Sequence, residues 1–398
     1  MLIVYYIFVV SYVIKAAYFG MFDWASPYFI ATVRTHIGNE SFVTALLVVT
    51  YCHVVIAILS RNISRSSAVL PQELKDLTRW HSGRVSLLLI MMTFLSVATG
   101  FVMVKYGLSV MGTEGQPLPY NIAGIVYYTR VWLVTVIMMQ LVYESWVAHG
   151  ANSLNIRSLI LLLHLLSDSL LRASKYPLVL LAILVGIRLI QLKYEGWSIS
   201  GGKKWVVVIF TGLVVFGMYP AMKYYRAVKV TTGTNQVMPV VAEVARSVSF
   251  EDYYQVPIEI LHRTVGFTQY AGVIERKDSF VNPMNHEEYD SISDLYTHKF
   301  LGVSIAGHGS SPSLLRLLHI YIPIVIQLIV LPLAIVLIAY VISMLEHASR
   351  NMWGIKAVLS IVVGNMVIAG TVDAMLRELL IISAIMLLYT LLRWLRIG

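Results

Sequence analysis

Apolar residues in this chain run in long, nearly unbroken stretches, without the alternation of a half-buried strand or the narrow stripe of a soluble helix. Ten stretches stand out, over residues 2–22, 42–60, 84–104, 122–148, 156–173, 176–193, 205–224, 316–346, 355–372 and 376–396. About 20 apolar residues in a helix span the ~30 Å hydrocarbon core of a bilayer. The pattern predicts an all-α polytopic membrane protein with about ten transmembrane helices. The fifth stretch, "RSLILLLHLLSDSLLR", fits least well: it is short, carries Asp168 and is bracketed by Arg157 and Arg172. It would also suit an amphipathic helix lying flat in the interface. The first stretch is broken by Lys15 and has no small-residue cleavage site, so it reads as a retained span and not a removed signal peptide.

Composition agrees with this class. Hydrophobic residues make up 58% of the chain and charged residues 13%, about half the ~25% of an ordinary soluble domain. In a soluble chain the net charge of +9 would point to nucleic acid. Here the basic residues gather at the ends of apolar runs, so no nucleic-acid partner is expected and the partner is the lipid bilayer. Arg61, Arg65, Lys75, Arg79 and Arg84 crowd one loop while the next opens with Lys105 alone, which puts the first loop in the cytoplasm. Ten spans then place Lys193, Lys203, Lys204, Arg350, Lys356, Arg393 and Arg396 inside as well. A prokaryotic plasma membrane is the expected location, ahead of a mitochondrial inner membrane.

Residues 225–314 are the one sizeable polar segment, and the ten-span threading puts them outside the cell. The expected organisation is an N-terminal transmembrane bundle (1–224), this extramembrane segment (225–314) and a C-terminal three-helix part (315–398). The single cysteine, Cys52, sits inside an apolar run, which excludes a disulfide framework and a thiolate metal site.

Ionisable side chains in hydrocarbon cost several kcal/mol and so need a reason. Six of the 11 histidines lie in or beside apolar runs: His53, His81, His149, His164, His319 and His347. A b-type haem needs two neutral imidazoles at matching depth on neighbouring helices. Threading puts His81 and His149 near the cytoplasmic face and His53 and His164 near mid-membrane. Two depth-matched pairs are thus available as haem-iron ligands, His81 with His149 and His53 with His164, and the exchanged pairings are equally allowed. An interfacial histidine beside Trp80 or Trp146 can also be a plain anchor, and His347, next to Glu346, reads as a helix-end residue. Arg130, inside the fourth run, could pair with a haem propionate or snorkel to the interface. Asp373, Arg377 and Glu378 fit a structural turn between the last two spans.

"RWHSGRVSLLLIMMTFLSVATG" resembles the histidine-led helix of membrane cytochromes b, in which an Arg and a His open the helix and a Thr-Gly closes it. The second His of that helix, about four turns on, is absent here. "VAHGANSLNIRSLILLLHLLSD" is similar to the same helix and does carry two histidines, His149 and His164, one residue further apart than the family's spacing. "IAGHGSSPSLLRLLHIYIPIVIQL" resembles the later ligating helix, with Arg316, His319 and Pro323 in place and the second His, near Leu333, missing. The resemblance implies a haem-binding four-helix bundle with one or two haems b. It also implies a respiratory membrane subunit that exchanges electrons between a quinone and partner subunits of a complex.

Two other function classes remain open: a haem-free membrane anchor or assembly subunit of such a complex, and a secondary transporter. Against the transporter stand the lack of a repeated half and of matched Gly/Pro-broken spans. The chain carries no phosphate-binding Gly-x-x-x-x-Gly-Lys-[Ser/Thr] loop and no Cys-x-x-Cys-His haem-attachment motif.

Overall fold

The computed structural model describes residues 9–14, 16–17, 38–64, 82–108, 116, 118–149, 156–174, 176–194, 212, 217–218, 220–229, 237–256, 266–275, 322–348, 352–368 and 372–394. Among these the regular structure is entirely helical. Three stretches are long and apolar enough to cross a membrane, Asn39–Ile58, Val85–Tyr106 and Ile122–Val147, with a shorter apolar helix at Tyr176–Leu189. Three is fewer than the ten that the hydrophobic runs predict. Runs 2–22 and 205–224 fall mostly outside the described residues, and the helices at 156–172 and 353–368 have only 17 and 16 residues.

The surface of these helices is inverted relative to a soluble protein. Helix α1 spans Asn39–Ser64 and α2 spans Ser82–Tyr106. On α2 an exposed stripe runs through Leu87, Ile90, Met91, Phe94, Val97 and Phe101, with Phe94 76% exposed, while Ser96 and Thr99 are buried. Large apolar side chains outward and hydroxyls inward is the arrangement that hydrocarbon solvent favours.

The chain divides into two compact units. The first comprises Met1–Ala68, Pro257–Ala348 and Ser360–Leu379, and the second Val69–Val256, Ser349–Leu359 and Leu380–Gly398. The polar stretch 225–314 is shared between them.

The second unit is built around one long helix and its neighbours. Helix α3 (Ile122–Tyr128) continues through a π-helical turn (Thr129–Val134) into α4 (Thr135–His149). Residues 136–143 of α4 are almost wholly buried, so α4 is the central rod. Helices α5 (Ile156–Arg172) and α6 (Tyr176–Tyr194) pack with it, and α2 packs on α5, α4 and the π turn. Helix α7 (Val237–Ser247) and a helix over 220–229 cover the end of α5, burying Met222, Tyr225, Val240 and Val244 around Ala173. In the short α8 (Glu251–Tyr254) the Asp252 carboxylate accepts the backbone N–H and the hydroxyl of Ser249 at 2.8 and 2.9 Å. Those bonds, joined by one from the Tyr224 hydroxyl, hold its carboxyl below the usual range.

In the first unit, α1 packs against α9 (Gly266–Glu275) and α10 (Ile324–Ala348). The core joins Tyr12, Val48, Val49, Cys52, Phe267 and Tyr270. Pro332 lies inside α10 and has no N–H to give the Leu328 carbonyl one turn back. The Tyr51 hydroxyl of α1 donates to that carbonyl at 2.9 Å. The Glu275 carboxylate accepts the Gly38 N–H at 2.8 Å, at the N-terminus of α1.

Two helices complete the described fold, α11 (Trp353–Ile368) and α12 (Val372–Trp394). The start of α11 belongs to the second unit. Its Gly354 N–H donates to the Gln140 side-chain carbonyl at 2.9 Å, and the Gln140 amide donates to Glu144 at 2.9 Å. A side chain of α4 thus caps a helix N-terminus that would otherwise be buried with orphan donors.

Candidate functional site, a buried charge cluster in the second unit

The buried face of α5 is Leu161, His164, Leu165, Asp168 and Ser169, the i, i+3, i+4, i+7, i+8 spacing of one helix side. Its polar members meet Arg130, which the π turn presents from within the long helix. The Arg130 Nε–H donates to Asp168 Oδ1 at 3.1 Å and its Nη2–H to the Ser167 hydroxyl at 2.8 Å. Its Nη1–H reaches the backbone carbonyl of Ser96 and, at 3.3 Å, the Ser96 hydroxyl. One guanidinium therefore links α2, the π turn and α5. Gly100 permits this approach, because a Cβ there would lie 2.7 Å from Nη1.

Asp168 is shared. Its other oxygen accepts from Arg172 Nη1 at 3.0 Å, one turn on. The Arg130 and Asp168 side chains are each 2% exposed and Arg172 is 14% exposed. Helix α5 then stops: Ala173 takes a left-handed conformation at φ 47°, and the Ser174 N–H returns to the Ser169 carbonyl at 3.0 Å. This closure holds Arg172 in the last turn, beside the Tyr127 ring at 5.4 Å.

His164 occupies the centre. Its Nδ1 lies 2.8 Å from the Ser96 hydroxyl and its Nε2 lies 2.9 Å from the Thr135 hydroxyl. The Thr135 hydroxyl also donates to the Arg130 carbonyl at 3.2 Å. The assignment that uses every contact is a neutral ring with Nε2–H donating to Thr135 and Nδ1 accepting from Ser96. At the far end of α5, Arg157 donates to the hydroxyls of Ser145 and Ser86 at 3.2 and 3.1 Å. Polar contacts thus tie α5 to its neighbours from its first turn to its last.

The histidines expected as haem ligands fare differently. His164 is buried with both ring nitrogens engaged, so iron at either nitrogen would displace a hydroxyl. His53 lies partly exposed in α1, inside a candidate span of the first unit. His81 and His319 lie outside the described residues, as do the side chains of His149 and His347. Arg130 is committed to Asp168, Ser96 and Ser167, bonds that use four of its five N–H donors. As they stand, the second unit's described residues do not fit a haem. Among the described residues no group of three or more His, Cys, Asp and Glu side chains comes together.

Sequence reasoning named His164 and Arg130 but not their partners Ser96, Thr135 and Ser167. It treated Asp168 and Arg172 as grounds for doubting a span. The usable signal was the spacing of His164, Asp168 and Arg172 at i, i+4 and i+8 on one helix face. No family model, curated protein or solved structure matches the chain.

Proposed function

We propose that this chain is a multi-pass membrane protein of the secondary-transporter class, working through ion movement at the Arg130–Asp168–Arg172 cluster. One observation carries the reading: two guanidiniums and one carboxylate, with a neutral histidine, stand inside an apolar helical unit. Charged groups at such depth mark ion and proton pathways when they are not simply structural. The π turn adds support, since irregular backbone inside a span is a feature of sites that bind or move ions. About ten spans, with the basic loops cytoplasmic, would put the Arg172 end of the cluster toward the extracytoplasmic side.

The second reading, a cytochrome b-like subunit passing electrons between a quinone and partner subunits of a respiratory complex, retains one favourable observation. His53 lies within an apolar candidate span, and an imidazole there is of the ligand type a b-type haem takes. That reading needs a second ligand among His81, His149 and His319.

A reduced-minus-oxidised visible spectrum with a pyridine haemochrome count separates the two. The transporter reading expects no haem, together with proton movement in proteoliposomes containing a trapped pH dye and an imposed potassium potential. Asp168→Asn should abolish that movement. A stoichiometric haemochrome would overturn the transporter in favour of the cytochrome. With neither haem nor flux, a haem-free anchor subunit is what remains.

A further inference from the structure

Charge within the cluster does not balance. Asp168 has both oxygens occupied, one by each arginine, so two guanidiniums leave one positive charge in excess among these residues. The excess is not shared evenly. Arg130 has close acceptors in Asp168, the Ser96 carbonyl and Ser167. Arg172 has Asp168 at 3.0 Å on Nη1, while among the described residues its Nη2 meets only the Tyr127 hydroxyl, at 3.4 Å, longer than a good N–H···O bond of about 2.7–3.2 Å. Arg172 is also the one of the three that solvent reaches.

The surroundings suit an anion. The Tyr127 ring lies under the guanidinium and packs edge-on against Tyr128, with ring centroids 5.3 Å apart. Tyr176, within electrostatic reach of Arg172, stacks edge-on with Trp132 at 6.1 Å. Aromatic walls keep bulk water off the charge. The end of α5 and the start of α6 meet at this turn, so their opposed partial charges largely cancel and the guanidinium dominates the local field.

We propose that Arg172, flanked by Tyr127 and Tyr176, binds a carboxylate or phosphate oxyanion at the open end of the cluster. The planar fork of Arg172 takes two of its oxygens and Asp168 holds the fork in place. This deepens the transporter reading by naming the substrate chemistry, and rests on it. The same oxyanion could come from a free solute or from a lipid phosphate.

The test is thermal unfolding of the purified full chain with inorganic phosphate or benzoate titrated at constant ionic strength against chloride. A parallel series uses nanodiscs of phosphatidylcholine with and without phosphatidylglycerol. A saturable rise in melting temperature with either free anion, lost in Arg172→Gln, identifies a solute site. A rise confined to phosphatidylglycerol and lost in the same variant identifies a lipid headgroup. Tyr127→Phe removes the long hydroxyl contact and serves if Arg172→Gln fails to fold. It should weaken binding by about threefold to tenfold, the effect of losing one modest hydrogen bond. No anion-dependent shift in the unaltered protein, or a shift unchanged in these variants, overturns the proposal. Arg172-dependent binding without dye-reported flux keeps the oxyanion site and discards the transporter. Flux without such binding does the reverse.

Discussion

Gly354→Ala should be the most damaging single methyl in the second unit. A Cβ there would lie 2.6 Å from the backbone N and Cα of Gln140 and 2.8 Å from the Met139 carbonyl carbon. Ordinary contacts between such atoms are near ~3.5 Å, so the two backbones must part by close to an ångström, and no side-chain rotation relieves the overlap. Parting them also stretches the Gly354 N–H bond to Gln140, now 2.9 Å, and the Ile355 N–H contact, now 3.4 Å. Overpacking costs about 1–3 kcal/mol and an unmade buried hydrogen bond about 1–3 kcal/mol. The helix-forming gain of Ala over Gly returns about 1 kcal/mol at most. The net loss is about 3 kcal/mol, read as a lower melting temperature by intrinsic fluorescence in detergent. Gly124, in α3, has nothing within 4 Å of its Cβ position, so Gly124→Ala should be neutral or stabilising by up to ~1 kcal/mol. If Gly354→Ala melts no lower than Gly124→Ala, the close approach of α11 to α4 is wrong.

Three further outcomes are expected. Tyr51→Phe leaves the Leu328 carbonyl without its donor and should cost about 1 kcal/mol, and the cost should vanish in a Pro332→Ala background, where residue 332 regains an N–H. Gly100→Leu fills the space of the Arg130 guanidinium and breaks its pairing with Asp168, costing about 3–5 kcal/mol, whereas in an Arg130→Met background the same change should be mild. Asp252 is held below its unfolded pKa, so its contribution is present above the unfolded value and is lost as pH falls through the folded one. Amide exchange at Ser249 should therefore quicken, beyond its intrinsic pH dependence, only below about pH 4, and Asp252→Asn should show the quickened exchange at neutral pH.

Much of the fold class was legible in the sequence. Long apolar runs imply helices in lipid because hydrocarbon leaves backbone groups no other partner, and the exposed Leu87-to-Phe101 stripe on α2 is the structural counterpart. What the runs could not supply is the grouping. Residues far apart in sequence, such as Gly354 and Gln140, meet through a backbone approach that only the absence of a side chain allows. A hydropathy pattern has no term for that. Likewise the donor that stands in for Pro332's missing N–H is a tyrosine some 280 residues away, and its identity depends on how α1 and α10 pack.

The site was half legible, and α5 shows why. Its alternation of leucines with His164, Asp168 and Arg172 reads from sequence as a helix with one polar face, and in a membrane protein such a face has two destinations. It can turn to the headgroups and lie flat, or it can turn inward and find partners. Hydropathy is the same for both. The deciding term is whether other helices offer groups of matching hydrogen-bonding character, and here they do: Ser96 from α2, Arg130 from the π turn and Thr135 from the start of α4. Once those partners are in place the polar face is the buried one, and Leu159 and Leu163 are left exposed. The same partners decide the fate of His164. An imidazole at mid-helix is a fair ligand candidate while its surroundings are unknown. With a donor on one nitrogen and an acceptor on the other, its chemistry as it stands is to orient two hydroxyls, and the unspent charge of the cluster rests on Arg172.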